Sequence, residues 1–251
     1  MSDAVILGGG VLGGAIARVA ADGGAQVTVL SRNERPHRGL WRRFEAKGAA
    51  LLVRDAAVFV ALAPGPRDDP AALWTGLVPD LVRAAWLGGA RTVTACVPAA
   101  GTVVEPPTLQ RVGRTTVLRY GPLVSADAGC VAPWVRAVRE GGVARIPRGL
   151  PDVWPLVVDD AARAAWGLAP SGDIRTLRGR ERVTTRELAT LLVERFGGRW
   201  TERWIGGIDA AHRRMLAAAV HLDDDWDDVR MGPRSSVATW IERLAGPRRR
   251  R

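Results

Sequence analysis

Short apolar runs alternate with amphipathic segments through the first half of the chain. Residues 4–8 and 26–30 are compact runs with β-branched side chains, and residues 11–22 between them carry apolar side chains at helical spacing. The further strands predicted by length and composition are 57–63, 91–97 and 116–120. A chain in which strands alternate with helices predicts an α/β fold, a doubly wound parallel sheet of the Rossmann type.

Two further segments link these strands. Residues 40–47 place three large apolar side chains on one helical face, and residues 70–86 have apolar side chains at helical spacing, so both are predicted as helices. Residues 49–55 fit either a separate short strand or the end of the preceding helix.

Three glycines separate the first predicted strand from the first helix. Gly8, Gly10 and Gly13 have the Gly-x-Gly-x-x-Gly spacing. Gly8 allows a sharp turn off the strand, Gly10 removes the Cβ that would block a pyrophosphate, and Gly13 allows the helix to pack closely on the strand. Because the unpaired N–H groups at the helix start, with Val11 and Leu12, then point at the phosphates, the motif predicts a dinucleotide site. A glycine-rich turn without a ligand is the alternative.

Further cofactor residues are expected where parallel strands end, because ligands of such sheets lie beyond the carboxyl ends of the strands. Ser31, Arg32 and Asn33 follow the second strand, where an NAD-specific protein places a carboxylate on the ribose. A carboxylate would repel the 2′-phosphate of NADP, whereas Arg32 would attract it, so NADP(H) is preferred over NAD(H). The remaining predicted cofactor residues are Leu62, Ala63, Pro64, Gly121 and Pro122.

The second half has a different pattern, in which helices dominate. Thr184 and Glu187 have the spacing of a capping box, which predicts a helix start. Asp159 and Asp160 are predicted to cap another helix. We therefore expect a small helical C-terminal lobe. The predicted domains are a dinucleotide-binding Rossmann core at 1–125, a segment at 126–246 that completes the sheet and forms the substrate lobe, and a disordered basic tail at 247–251.

The net charge of the chain and its distribution bear on whether the partner is a nucleic acid or a small molecule. Among 251 residues, 36 basic and 26 acidic side chains give a net charge of +10, and Lys47 is the only lysine. Four of the ten charges belong to Arg248–Arg251, and the others are spread over the predicted helices instead of forming one stripe. We therefore expect a small-molecule substrate as the partner, not nucleic acid, and a monomer or homodimer.

Targeting and metal signals are absent from the sequence. No apolar run reaches the roughly 18 residues of a membrane span, and the N-terminus lacks the features of a signal peptide. Cys96 and Cys130 do not form a disulfide framework, so we expect a cytoplasmic protein. The acidic run Asp223–Asp225 lacks the glycine and the distal glutamate of a calcium loop, so no metal site is predicted.

Two side chains near the predicted crevice are candidates for catalysis. Cys96 would need a neighbouring base or cation to act as a nucleophile, and a buried structural thiol is the favoured interpretation. Tyr120 is placed to donate a proton at the nicotinamide end, but a tyrosine at a crevice edge is also common without any catalytic role. The tryptophans proposed to line a ligand pocket are Trp134, Trp154 and Trp204.

Several motifs occur in the order in which one enzyme family has them. Besides the glycine motif, Leu118–Pro122 is similar to a Leu-Arg-Pro-Gly segment near the nicotinamide. Trp154–Ala164 is similar to a segment containing Val-Asp-Asp-Val-Ala-Arg-Ala, and Val183–Leu188 is similar to a Thr-x-x-Glu-Leu helix start. The chain resembles the extended and atypical short-chain dehydrogenase/reductases, including the NAD-dependent epimerase/dehydratase and NmrA-like branches. This resemblance spans nearly the whole chain and implies a nicotinamide cofactor.

The chain departs from this family at the catalytic residues. The family uses Tyr-x-x-x-Lys, in which the tyrosine transfers a proton and the lysine lowers the tyrosine pKa, together with a Ser or Thr after an earlier strand. Here the only tyrosine is Tyr120, the residue four positions later is Val124, and Ala95–Val97 has no hydroxyl at the Ser/Thr position. The family's catalytic residues therefore cannot be transferred to this chain, and Tyr120 and Cys96 remain the candidates.

Three functions fit these features. The first is an NADPH-dependent reductase of a small hydrophobic or aromatic substrate, in which the protein mainly positions the substrate against the nicotinamide. The second is a redox-neutral epimerase, dehydratase or cyclase that uses its cofactor transiently. The third, implied by the NmrA-like branch, is a non-catalytic regulator that senses NADP. Because a fold does not determine a function, all three stay open, with the reductase placed first.

Overall fold

The computed structural model describes residues 3–31, 40–43, 52–62, 73–98, 109, 111–126, 131–150, 152–168, 170–203 and 235–245. The chain divides into two compact units. The first consists of Met1–Pro98, Thr102–Tyr120 and Ala161–Leu177, and the second consists of Ala99–Gly101, Gly121–Asp160 and Arg178–Arg251. Each unit has its own apolar core.

The strands and helices are numbered here in chain order. The strands are β1 Asp3–Leu7, β2 Gln26–Ser31, β3 Leu40–Arg43, β4 Ala57–Val60, β5 Thr92–Pro98, β6 Thr116–Tyr120, β7 Leu123–Val124, β8 Val143–Pro147, β9 Leu156–Val157, β10 Ile174–Leu177 and β11 Arg199–Arg203. The helices are α1 Val11–Asp22, α2 Val78–Leu87, α3 Ala132–Arg139, α4 Val158–Gly167, α5 Thr185–Phe196 and α6 Val237–Ala245. A π-helical turn at Leu73–Leu77 leads directly into α2. Within these residues, no helix has both the length and the apolar character needed to cross a membrane.

The first unit is built around a parallel sheet whose strands lie in the order β10-β6-β5-β4-β1-β2-β3. All neighbouring strands in this sheet pair in parallel. Residues Ala4–Leu7 of β1 are buried without alternation, as expected for a strand that is covered on both faces. This arrangement confirms the predicted doubly wound parallel sheet.

The direction in which the sheet grows reverses between β1 and β4. From β1 the chain adds β2 and β3 on one side, and it then returns to place β4 on the other side of β1. Residue Leu7 of β1 is in register with Leu30 of β2 and with Val60 of β4, so the three strands end at one level. Ligands of open α/β sheets bind where the strand order reverses in this way.

The second unit combines helices with two small sheets. Strand β8 pairs in parallel with β11, and β7 pairs in parallel with β9. Buried side chains from α3, α5 and α6 meet in one core; the largest of them are Trp134, Leu188, Leu192, Trp240 and Ile241. The predicted helical lobe is therefore present, but it also contains short strands that the helix-dominated pattern did not indicate.

Two helix starts in the second unit are held by side chains. Thr184 and Glu187 form the predicted capping box at α5: the Thr184 hydroxyl accepts from the Glu187 N–H, and the Glu187 carboxylate accepts from the Thr184 N–H. At α6, the buried Asp160 carboxylate accepts from the Ser235 N–H at 2.7 Å. Asp160 therefore lies within the first turn of α4 and bonds the start of α6, whereas the sequence predicted that it caps its own helix.

The structure corrects one local prediction of secondary structure in the first unit and narrows a second that the sequence left open. Residues 40–43, predicted as helix, form β3, because they pair in parallel with Thr28–Ser31 of β2 and this long-range pairing overrides the local helical spacing. Residues 52–53 are helical and a turn follows them at 54–55, so the described part of 49–55 is not the separate strand that the sequence left open.

Candidate functional site

The turn that follows β1 can be made only by a glycine at position 8. Gly8 has a φ of +120°, in the region that side chains with a Cβ rarely adopt. A Cβ added there would lie 2.5 Å from the carbonyl oxygen of Ala61. The Gly8 N–H donates to the carbonyl oxygen of Leu30 at 2.9 Å, which fixes the turn against the end of β2. The sharp turn predicted for Gly8 is therefore observed.

Gly13 allows α1 to approach the end of β1 closely. A Cβ at this position would overlap the carbonyl oxygen of Gly8 and would lie 3.3 Å from a methyl group of Ile6. No side chain larger than glycine fits without separating the helix from the strand. The close packing predicted for the third glycine of the motif is therefore also observed.

The N-terminus of α1 has unpaired backbone donors and no negative charge of its own. Gly10 is the N-cap residue, no side chain caps the helix, and its first turn contains no acidic residue. The first N–H groups of a helix lack intrahelical acceptors, and the helix dipole adds positive potential there. These features fit the pyrophosphate of a dinucleotide, which would be held by the backbone N–H groups at Val11, Leu12 and Gly13.

The structure brings three of the predicted cofactor residues to one edge of the sheet. Ser31 is the last residue of β2, directly after the Leu30 carbonyl that Gly8 bonds. Leu62 follows β4, and its side chain approaches within 3.1 Å of the position that a Cβ of Gly8 would take. Gly8, Ser31 and Leu62 therefore surround the point where the strand order reverses.

Of the remaining predicted cofactor residues, four lie outside the described residues and two belong to the second unit. Arg32, Asn33, Ala63 and Pro64 lie outside the described residues. Gly121 and Pro122 follow β6 and belong to the second unit, where the Pro122 carbonyl accepts from the Leu156 N–H at 2.8 Å.

The sequence motif did not point to the carbonyl of Ala61, although this atom limits the space at Gly8. The available sequence signal was the prediction of two parallel strands, because the carboxyl ends of β1 and β4 then lie at the same edge of the sheet. Only their pairing, with Ala4 beside Ala57 and Leu7 beside Val60, places Ala61 against the glycine turn.

The two candidate catalytic side chains are both buried in the first unit. Cys96 lies in β5 with no exposed surface, and Tyr120 ends β6 at 8% exposure. Pro98 is the register partner of Tyr120, so Cys96, two residues earlier, shares its face of the sheet. Burial raises the pKa of the Cys96 thiol from 9.0 to about 12. Burial, together with the neighbouring Cys96, also raises the pKa of the Tyr120 phenol.

Both groups therefore keep their protons at neutral pH. A thiol with a raised pKa is a weak nucleophile, because the thiolate is the reactive form. This supports the structural interpretation of Cys96, which is a free and buried cysteine. A protonated phenol can act as a hydrogen-bond donor, but the raised pKa of Tyr120 leaves almost none of the phenolate that a proton-accepting tyrosine needs.

The candidate pocket tryptophans have different environments in the second unit. Trp134 lines a small apolar hollow together with Pro122, Val153 and Leu188. Trp154 instead packs beneath the guanidinium of Arg178, which lies 4.0 Å from the ring centroid. Trp204 lies outside the described residues. Over the described part of the chain, no group of three metal-ligating side chains comes together.

Sequence comparisons identify no relatives of this chain. No protein-family model matches it. No curated protein matches it either.

Solved structures with the same fold are numerous, and they include several UDP-sugar 4-epimerases. UDP-N-acetylglucosamine 4-epimerase from Bacillus cereus has a TM-score of 0.69 at 13% identity and covers 98% of this chain and 96% of its own. UDP-glucuronic acid 4-epimerase from Bacillus cereus, in complex with NAD, has a TM-score of 0.67 at 12% identity and covers 95% and 94%. UDP-glucose 4-epimerase from Thermus thermophilus, in complex with NAD, has a TM-score of 0.60 at 16% identity and covers 87% and 98%.

These similarities extend over both units of the chain and over nearly the full length of each neighbour. At such low identity they establish the fold, a Rossmann-type parallel sheet with a smaller second unit, shared with structures that are titled as UDP-sugar epimerases.

Proposed function

We propose that this chain binds a nicotinamide dinucleotide at the turn between β1 and α1 and catalyses a redox-neutral reaction, such as an epimerisation, dehydration or cyclisation, on a small molecule. The observation that carries the proposal is the glycine turn. Gly8 and Gly13 are both fixed as glycine by backbone contacts, and the helix between them begins with uncapped donors. Glycines placed in this way leave space for a phosphate group against the backbone.

The residues of the chain would bind and orient the dinucleotide. The N–H groups at the start of α1 would bind the pyrophosphate, and Ser31 at the end of β2 stands where the adenine-side ribose would be held. Leu62 would pack beside the turn. When bound, a nicotinamide supplies a reversible hydride acceptor, which suits a reaction at an alcohol carbon.

The redox-neutral interpretation has more support than the reductase interpretation. The neighbours with matching length and topology are titled 4-epimerases, and their similarity spans the second unit as well as the sheet. The preference for a hydrophobic or aromatic substrate has no comparable support.

A second candidate is a non-catalytic protein that senses the dinucleotide. One observation favours it: the only tyrosine of the chain is buried and protonated, and the lysine that would activate such a tyrosine is missing from its spacing. This protein would bind the cofactor and change its interactions without turning over a substrate.

The choice between NAD and NADP rests on two opposing observations. Solved neighbours contain NAD. In contrast, Arg32 follows β2 where a carboxylate would select NAD, and its positive charge favours the 2′-phosphate of NADP. We keep NADP(H) as the proposed form and test it below through Arg32.

One experiment separates the candidate functions. The purified protein is incubated with NAD or NADP and with UDP-N-acetylglucosamine, UDP-glucose or UDP-glucuronic acid, the sugars for which the similar epimerases are named. Products are identified by NMR, and reduced nicotinamide is followed by absorbance. An isomerised or dehydrated product without net reduced cofactor supports the proposal. Net oxidation of NADPH by added carbonyl compounds would establish the reductase instead, and tight dinucleotide binding without any turnover would establish the sensor.

A further inference from the structure

One face of the β8–β11 pair in the second unit gathers exposed arginines. Strand β11 exposes alternate residues, which are Arg199, Thr201 and Arg203. Strand β8 exposes Arg145 on the same face, because Arg145 is the register partner of Thr201. We call Arg145, Arg199 and Arg203 the arginine face.

The geometry of the strands fixes the spacing of these charges. Arg199 and Arg203 are four residues apart on one strand, so their Cα atoms are separated by about 13 Å at roughly 3.3 Å per residue. Arg145 lies opposite the midpoint between them, on a strand about 4.8 Å away. The Cα atoms of the three arginines therefore form a triangle on one face of the two-stranded ribbon.

Within the part of the chain that the structure describes, no carboxylate on this face neutralises the arginines. The one acidic residue of the pair, Glu202, belongs to the alternate, half-buried positions of β11, and it accepts from Nε and Nη2 of Arg186 at 2.6 and 2.9 Å. Arg186, and to a lesser extent Arg148, lower the pKa of Glu202, so this carboxylate is already engaged and stays charged. Among the described residues, no ion pair involves Arg145, Arg199 or Arg203.

We propose that the arginine face binds the phosphate backbone of double-stranded DNA. Guanidinium groups bind phosphates through paired N–H donors and stay charged at all relevant pH values. A two-stranded ribbon whose exposed face carries only positive charge matches the regular negative charge of a duplex. This site is separate from the proposed dinucleotide turn, and the proposal does not depend on it.

The composition of the face favours a duplex over an unpaired strand or a protein partner. It contains no aromatic side chain, whereas proteins that bind unpaired strands stack bases on aromatic rings. Its exposed residues include only one apolar side chain, Val143, so it lacks the buried anchors that protein partners use. The sequence led us to expect no nucleic acid because its arginines were dispersed; the pairing of β8 with β11 brings three of them together.

The test compares two triple variants with the same loss of charge. Variant R145S/R199S/R203S removes the arginine face, and variant R91S/R111S/R136S removes three other exposed arginines. Binding of each full chain to a short fluorescent DNA duplex is measured by anisotropy between about 50 and about 200 mM salt. A third variant, R145K/R199K/R203K, keeps the charge, and thermal unfolding shows that all four proteins are folded.

The expected result is a change in salt dependence confined to the face. Three phosphate contacts contribute about 2.7 to the slope of log K against log salt, which corresponds to about 40-fold in affinity over this range. The face variant should lose this contribution, whereas the lysine variant and the R91S/R111S/R136S control should keep it. Equal losses in both serine variants would show an effect of net charge alone and overturn the proposal. So would failure of the wild type to bind the duplex, or stronger binding to a single strand or to polyglutamate.

Discussion

Gly8 and Gly10 lie two residues apart, but only Gly8 has a backbone conformation that requires glycine. Gly8 has a φ of +120° and faces the Ala61 carbonyl, so the turn itself excludes a side chain there. Gly10 has φ −72° and ψ −170°, an extended conformation that any residue adopts. The fold alone therefore requires glycine at position 8, whereas at position 10 glycine fits the proposed approach of a phosphate group.

Replacing Gly8 with alanine should destabilise the fold. The Gly8→Ala substitution adds strain at a positive φ and a contact of 2.5 Å with a backbone oxygen, so the free energy of unfolding should fall by about 2 kcal/mol or more. Gly167→Ala is the matched control, because a Cβ there meets nothing within 4 Å. Urea denaturation measures both variants. An unfolding midpoint for Gly8→Ala equal to that of the control would show that the turn is not built as described.

The thiol of Cys96 should be unreactive in the folded protein. Its pKa of about 12 reduces the thiolate population roughly 1000-fold relative to an ordinary cysteine thiol. The measurement is alkylation by iodoacetamide at pH 8 in a Cys130→Ser background, which leaves Cys96 as the sole thiol. We expect labelling only after denaturant is added, and rapid labelling of the native protein would contradict the burial of Cys96.

Arg32 tests the preference between the two dinucleotides. The Arg32→Asp substitution replaces an attraction for the 2′-phosphate with a repulsion, so it should weaken NADPH binding at least tenfold and leave NADH binding nearly unchanged. Titration of tryptophan fluorescence measures both affinities. Equal effects on the two dinucleotides would contradict the role of Arg32, and the NAD complexes of the neighbours would then be the better guide.

At the scale of single elements, the start of α5 tests how much the capping box contributes to stability. Thr184→Ala removes the hydroxyl that accepts from the Glu187 N–H and should lower the free energy of unfolding by about 1 kcal/mol. Thr190→Ala makes the same change inside the same helix and should alter stability by less than about 0.5 kcal/mol. If both variants unfold alike, the capping box does not stabilise this helix.

The same capping box gives a dependence of stability on pH. Hydrogen bonds from the backbone and side chain of Thr184 lower the pKa of Glu187 below its ordinary value of 4.5. A carboxylate with a lowered pKa stabilises the fold above its ordinary pKa, and this contribution disappears as the pH falls through the lowered value. The stability difference between wild type and Glu187→Gln should therefore be present at pH 7 and shrink steadily below pH 4.5.

Local sequence signals correctly predicted the elements whose starts are marked by residues at a fixed spacing. The glycines after β1 and the Thr184–Glu187 pair have fixed spacings with a physical meaning, and both were located correctly from the sequence. Residues 40–43 were predicted as helix because the spacing of their apolar side chains is helical, and only the distant partner β2 makes them a strand. Strand β11 was missed because its alternation, Arg-Trp-Thr-Glu-Arg, is short and mostly polar.

At the scale of the whole molecule, the sequence predicted the class of fold but not the contacts that strand pairing creates. Alternation of strands and helices was enough to expect a doubly wound parallel sheet. The placement of Ala61 against Gly8 and the convergence of Arg145 with Arg199 and Arg203 both depend on register between strands far apart in the chain. The proposed function rests on one such contact, the glycine turn that packs against the Ala61 carbonyl.

The most direct test of the account is dinucleotide binding by Gly10→Ala, with Gly76→Ala as the matched control. Both substitutions add one methyl group in the first unit. Gly10 has an extended backbone conformation that alanine also adopts, and a Cβ at Gly76 would meet nothing within 4 Å. In isothermal titration calorimetry, the wild type and Gly76→Ala should bind NAD or NADP, and Gly10→Ala should bind at least tenfold more weakly, a loss of about 1.4 kcal/mol, with unchanged thermal unfolding. Failure of the wild type to bind either dinucleotide, or wild-type affinity in Gly10→Ala, would contradict the proposed site.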